Sequence, residues 1–273
     1  MSELDFTRPA AKSEVYDPLL ALGFFKRAGR PETLAQGATL FSEGEKGGKM
    51  YYLLKGEVAL VRNGRPIDIS KTGEVIGEMA LVSEQPRNAT AVARTPCSLL
   101  SVDAKRFRET LRAMPEFALM LLGIMINRLR LTVARLAVRH ALPQAQALHG
   151  SAAFDRKLVA ELVRGFPDRS PQHHPPNKTI VKEGDAGLFF YVVLEGRVAI
   201  SIQGKTVERL GPGGVFGELA LLDQRPRAAS AVAETDCTLL AINRNDFLKL
   251  IKTQPAFAVS LMKAVAARMH SMT

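Results

Sequence analysis

Two glutamates, Glu78 and Glu218, are each followed nine residues later by an arginine, Arg87 and Arg227. Each Glu stands directly after a glycine, Gly77 or Gly217, and begins a short apolar run that continues through Met79 and Ala80 or through Leu219 and Ala220. After the arginines come small residues: Asn88 and Ala89 in the first case, Ala228, Ala229 and Ser230 in the second. These residue types divide the work of holding a nucleotide. A guanidinium is a planar fork matched to phosphate oxygens, and small neighbours leave backbone N–H groups within reach. The glycine lets the backbone approach a ligand closely, and the start of a helical turn offers free N–H groups to an anion. A carboxylate repels phosphate and is better used on a neutral hydroxyl, as acidic side chains grip a ribose 2′-OH in other nucleotide folds. The competing reading is a surface Glu–Arg pair beside a tight turn. Two occurrences at one spacing weigh against it, although a duplication can also keep a pair for structural reasons.

The elements that must position these residues occur twice. Val75 to Ala93 and Val215 to Ala233 agree at 11 of 19 positions, and an offset of 140 holds without a gap on either side. Tyr51 matches Tyr191, Gly56 matches Gly196, Cys97 matches Cys237, Phe107 matches Phe247, Pro115 matches Pro255 and Arg128 matches Arg268. A period this long is a whole domain and not a solenoid unit. The expected organisation is an N-terminal tail over 1–16, a first domain over 17–142 with a long C-terminal helix, and a second domain over 143–273. Within each copy, β-branched and aromatic runs such as "KMYYLLKGEVALVR" and "LFFYVVLEGRVAIS" are broken by glycine and joined by "NGRP" or "QGK" turns, which predicts short strands in a roll or barrel. Asp103 and Asn243 are suited to cap the helices that follow, and Pro115 and Pro255 separate those helices from the next ones. In the first copy that next helix is expected from Glu116 to about Leu142, where Pro143 stops it. The stretch "PDRSPQHHPPN" reads as an exposed loop whose His173 and His174 lack a third metal ligand.

Composition sets limits. Hydrophobic residues make up 47% of the chain and aromatic residues 6%, enough for an ordinary core in each copy. No signal peptide is evident, and the longest apolar run, from Phe117 to Ile126, is too short to span a bilayer. Cys97 and Cys237 sit at equivalent places in strand-like runs and read as small buried hydrophobes, not a disulfide. The chain reads as soluble and cytoplasmic. The net charge of +10 is spread without a dense basic run; Arg128, Arg135 and Arg139 share a helical face, which reads first as solvated, then as a surface for an acidic protein, and last as a nucleic-acid stripe.

"RLGPGGVFGELALLDQRPRAASAV" resembles the phosphate-binding cassette of the cyclic-nucleotide-binding domain family, and is especially similar to the cAMP sites of protein kinase A regulatory subunits. "EGDAGLFFYVVLEGRVAI" resembles that family's early strands. The resemblance covers roughly residues 38–131 and 178–271. It implies an α+β fold of two tandem eight-stranded β-rolls of jelly-roll type, each flanked by helices, with a long helix joining them. It also implies that Glu78 and Glu218 hold a ribose 2′-OH, that Arg87 and Arg227 hold a cyclic phosphate, and that the last helix of each copy closes over the base. The first copy departs from the pattern: Asn88 stands where cAMP-type members have Ala and cGMP-selective members often have Thr, and "KTGEVIGEM" lacks the "GPGG" of the second copy. Ala228 favours cAMP, or no strong preference, in the second site.

The expectation is a non-catalytic, stand-alone tandem sensor of a cyclic mononucleotide, cAMP first and cGMP as an alternative. It needs no cofactor or metal and signals to a protein partner. No helix-turn-helix, pseudosubstrate Arg-Arg pair, kinase signature or metal-binding histidine cluster is legible. In the second site the base is expected to be covered from the helix between Phe257 and Met272, by Leu261, Val265 and Met269 on one stripe or by the guanidinium of Arg268. Two alternatives stand beside this reading: a DNA-binding regulator using the Arg128, Arg135 and Arg139 face, and a ligand-free scaffold.

Overall fold

Hydrophobic alternation and glycine turns build two β-rolls, and the computed structural model describes them over residues 16–138, 141–142, 154–166 and 170–272. The expected tail, Arg139 and Pro143 lie outside the described residues, apart from Tyr16. The first copy runs α1 (Pro18–Ala28), β1 (Arg30–Leu34), β2 (Thr39–Phe41), β3 (Lys49–Lys55), β4 (Glu57–Arg62), β5 (Arg65–Lys71), β6 (Val75–Ile76), α2 (Glu78–Ser83), β7 (Thr90–Ala93), β8 (Cys97–Asp103), α3 (Ala104–Ala113) and α4 (Glu116–Val138). The second runs α5 (Arg156–Gly165), β9 (Gln172–His174), β10 (Thr179–Val181), β11 (Phe189–Glu195), β12 (Val198–Ile202), β13 (Lys205–Leu210), β14 (Val215–Phe216), α6 (Glu218–Asp223), β15 (Ser230–Ala233), β16 (Cys237–Asn243), α7 (Arg244–Thr253) and α8 (Pro255–Ser271).

Each roll is two four-stranded antiparallel sheets, β1-β8-β3-β6 with β2-β7-β4-β5, and β9-β16-β11-β14 with β10-β15-β12-β13. The fold class is the one expected. The register repeats with the sequence: Tyr51 opposes Ser101 in the first roll and Tyr191 opposes Ala241 in the second. One expectation is corrected. His173 and His174 are not in a loop but in β9, opposite Thr238 and Cys237 on β16. The proline-rich flanks hid a three-residue edge strand, a place where proline and polar residues are tolerated because one side of the backbone needs no partner. Both cysteines are free and buried.

Helix boundaries follow local chemistry. Asp103 accepts from the Arg106 N–H and Asn243 from the Asp246 N–H, both at 2.9 Å, so each caps as expected. α4 is described over 23 residues, about 35 Å at 1.5 Å per residue. It is longer than its uninterrupted apolar run, and by length and composition it is the one described helix able to cross a bilayer; half of its most apolar stretch is buried within the protein.

Apolar side chains collect in three places. The interior of roll one holds residues such as Phe41, Leu53 and Ile76. The interior of roll two is joined by Ala137 and Leu142 from the first copy. Between the rolls, helices of both copies share one core that includes Phe24, Phe117, Leu261 and Val265, all fully buried. Burying such a side chain contributes about 1.5–3 kcal/mol, and the stacked Phe24–Phe117 pair, with centroids 3.8 Å apart, adds about 0.5–1.5 kcal/mol.

Candidate functional site

The second site is built where β14 runs into α6. Gly217 adopts φ +89°, a left-handed conformation that favours glycine, and turns the chain so that Glu218 points into the protein. A Cβ at Gly217 would lie 2.6 Å from Nη1 of Arg227, so this glycine also makes room for the guanidinium. Arg227 donates from Nη1 to the Gly217 carbonyl at 2.9 Å and from Nη2 to the Phe189 carbonyl at 2.7 Å. The guanidinium is thereby fixed between the cassette and the first residue of β11. Arg227 is 7% exposed, and among the described residues no carboxylate forms an ion pair with it. Burial accordingly pushes its pKa below the ordinary guanidinium value.

The first site repeats this geometry. Gly77 has φ +80°, and Arg87 donates to the carbonyls of Gly77 at 2.8 Å and Lys49 at 2.6 Å. Arg87 also lies 4.0 Å over the Phe41 ring, its pKa is likewise lowered by burial, and its buried Nε has no hydrogen-bond partner. Each copy therefore holds a buried cation whose only polar partners among the described residues are neutral carbonyl oxygens. Such a charge is costly to bury and is relieved by an anion.

The carboxylates are buried too, Glu78 at 4% and Glu218 at 1% exposure. Each is met by an arginine from the last helix of its own copy: Arg128 on α4 pairs with Glu78, and Arg268 on α8 pairs with Glu218 at 2.7 Å. Arg268 also reaches Glu208 on β13 at 2.9 Å and the carbonyl of Val215. These two carboxylates outweigh the desolvation of its buried guanidinium and raise its pKa. Glu218 Oε2 remains buried and, among the described residues, has no hydrogen-bond partner.

The remaining expected residues are accounted for as follows. Ala80, Ala89 and Ala220 are buried, while Met79, Leu219, Ala228 and Ala229 are partly buried. Asn88 is exposed and uses its carbonyl to accept from Nε of Arg62 at 2.8 Å. Ser230 accepts from the Glu183 N–H at 2.9 Å, as Thr90 does from Glu43 in the first copy, so this hydroxyl ties the cassette to the loop before β11. Leu261 and Val265 lie wholly inside the interhelical core, with Met269 packed at its margin. In this arrangement the Leu261 and Val265 stripe faces helices and not the mouth of the roll, and Arg268 is spent on two carboxylates. A covering role for these residues requires α8 to shift.

The arginine face on α4 is not a free stripe. Arg128 is committed to Glu78, Arg135 is exposed, and Arg139 lies outside the described residues. Three contacts were not foreseen from sequence. The Arg128–Glu78 pair was legible in principle, because Arg128 and Arg268 both follow their glutamate by 50 residues. Glu208 gave no signal, since its counterpart is the exposed Asp68. Arg130 binds Asp223 through Nε and Nη2 and also donates to the Pro226 carbonyl at 3.1 Å, yet its counterpart is His270 and that of Asp223 is Ser83. A contact between the copies leaves no mark in the repeat.

The profile of the cyclic nucleotide-binding domain matches this sequence twice, over residues 31–114 and 171–254. A cAMP-dependent protein kinase regulatory subunit of Yarrowia lipolytica is 28% identical over 218 residues, covering 79% of this chain and 52% of the relative. A cGMP-dependent protein kinase of Toxoplasma gondii is 30% identical over 213 residues, 78% of this chain and 19% of the relative. The chain thus spans about half, or less, of the length of these relatives. The solved regulatory domain of Toxoplasma gondii PKA with cAMP is 22% identical and covers 92% of this chain and 96% of its own, at a TM-score of 0.33.

Proposed function

The chain belongs to the cyclic nucleotide-binding domain family, and from that premise we propose that it is a non-catalytic sensor that binds a cyclic mononucleotide, cAMP in preference to cGMP, and passes the event to a partner protein. The single observation that supports this most is the buried, carboxylate-free guanidinium of Arg227, held in place by two carbonyl oxygens and lacking a counter-anion. A cyclic phosphate supplies that anion. The free Oε2 of Glu218 is suited to accept from the ribose 2′-OH while Oε1 keeps Arg268. In the first site, Arg87 and Glu78 take the same roles, and the free Nε of Arg87 is a further donor for phosphate.

Arg268 connects ligand to conformation. It joins α8 to the same carboxylate that the sugar would engage, so a ligand that competes for or reinforces Glu218 changes the hold on α8. Only a ligand that favours one arrangement over the other shifts the balance. The relatives named as kinase regulatory subunits make a kinase catalytic chain the natural class of partner, acting in the cytoplasm. The test is calorimetric titration of the chain with cAMP and with cGMP. Saturable binding of cAMP, tighter than cGMP, is expected; no binding of either removes the proposal.

A further inference from the structure

α4 belongs to the first copy by sequence, but residues of its last two turns pack on the second roll. Val133, Leu136 and Ala137, followed by Leu142, join the apolar cluster of roll two, which also contains Phe216 at the end of β14 and the cassette residue Ala229. The interior cluster of roll one contains no residue of α8. α4 is also clamped to the second cassette. Arg130 and Asp223 have side chains only 15% exposed each, and their two-pronged pair is extended to the carbonyl of Pro226, the residue directly before Arg227. Farther along, Nζ of Lys205 on β13 donates to the Leu142 carbonyl. A bidentate guanidinium–carboxylate pair fixes orientation as well as distance. One turn beyond Arg130, the helix therefore presents Val133 and Leu136, both partly buried, to the roll that carries Glu218 and Arg227.

We infer that Val133, Leu136 and Ala137 form the apolar wall against which the base rests in the second site, so that this site is completed by the first copy. Arg130 is a positioning residue that sets this wall. The inference rests on reading the second site as a cyclic nucleotide site, in which Glu218 and Arg227 serve sugar and phosphate and leave the base in need of apolar cover. It also assigns to α4 the covering role that the core burial of Leu261 and Val265 denies to α8 in this arrangement.

The sequence contains no tryptophan, so Leu136→Trp in the full chain supplies a single reporter. On titration with cAMP, its emission should change with a saturation curve that coincides with calorimetry on the same variant, and the change should vanish when Arg227→Ala is added. Calorimetric binding at the second site without an emission change overturns the wall. Absence of calorimetric binding in the unmodified chain instead overturns the underlying nucleotide reading. Should the tryptophan variant not fold, Val133→Ala with Leu136→Ala, checked by thermal melting, is expected to weaken cAMP binding to the second site about tenfold. An affinity within twofold of the unmodified chain contradicts the inference.

Discussion

Arg227 and Arg268 are both buried guanidinium groups, and their partners differ in kind. Arg227 has carbonyl oxygens only, while Arg268 has Glu208 and Glu218. The first has no carboxylate partner among the described residues and the second is a closed ion network, so their removal should have different signatures. Arg268→Ala leaves two buried carboxylates without a counter-charge and is expected to cost about 3–5 kcal/mol of stability, measured by denaturant unfolding; a loss below about 1 kcal/mol would show that the network is not buried in solution. For the sugar contact, 2′-deoxy-cAMP should bind the unmodified chain more weakly than cAMP and lose little more in Glu218→Gln. Equal binding of the two nucleotides removes that role from Glu218. His174 offers a pH test. Its Nε2 is buried without a partner, and burial, helped by Lys178 and His173, lowers its pKa from the ordinary 6.5. The unfolded chain therefore takes up this proton at a higher pH than the folded chain, so its effect is absent above about pH 6.5 and stability falls as pH drops through that value. His174→Leu, which installs the residue found at the equivalent Leu34, should flatten this slope in melts at pH 7.5 and 5.5. An unchanged slope assigns it to other groups.

At the level of elements, the cassettes and the helices that follow the rolls are legible because glycine, proline and cap residues punctuate them twice at one offset. β9 was hidden because three residues among prolines carry no alternation to read. The end of α4 is legible in kind but not in partner: the sequence pattern predicts a helix long enough to join the domains but cannot say whose core receives its apolar side chains. Beside the apolar core that the copies share, two ion pairs join them, Arg130–Asp223 on one side and Lys263–Glu84 on the other, at 2.9 Å for the second. The first has side chains 15% exposed each and gains a carbonyl partner; the second, at 40% and 59% exposed, is worth about 0–1 kcal/mol. A double-mutant cycle on Arg130→Ala and Asp223→Ala should return a coupling of about 0.5–3 kcal/mol, read by denaturant unfolding. Additive effects would mean that α4 is not held to the second cassette by this pair.

Across the whole molecule, duplication gives two sites of one design, and their differences lie at few positions. Asn88 faces solvent where Ala228 is partly buried, Asp68 is exposed where Glu208 is buried, and only roll two receives the end of α4. Inequivalent affinities for cAMP follow, with Asn88→Ala moving the first site toward the second; two identical and independent affinities in the unmodified chain would contradict this. The fold and both Glu–Arg pairs were readable because they repeat. So was the difference between Asn88 and Ala228; the rest of the asymmetry was not, because it arises from contacts between the copies and from one methylene between Asp and Glu. The central claim is that a cyclic phosphate binds the buried guanidinium of Arg227, and it is tested most directly by titrating cAMP into the unmodified chain and into Arg227→Ala under identical conditions. Replacing a buried, charge-assisted contact worth about 1.5–3 kcal/mol should weaken the second site at least tenfold while thermal melting shows the variant folded. An Arg227→Ala chain that binds cAMP with unchanged affinity and stoichiometry would contradict the account.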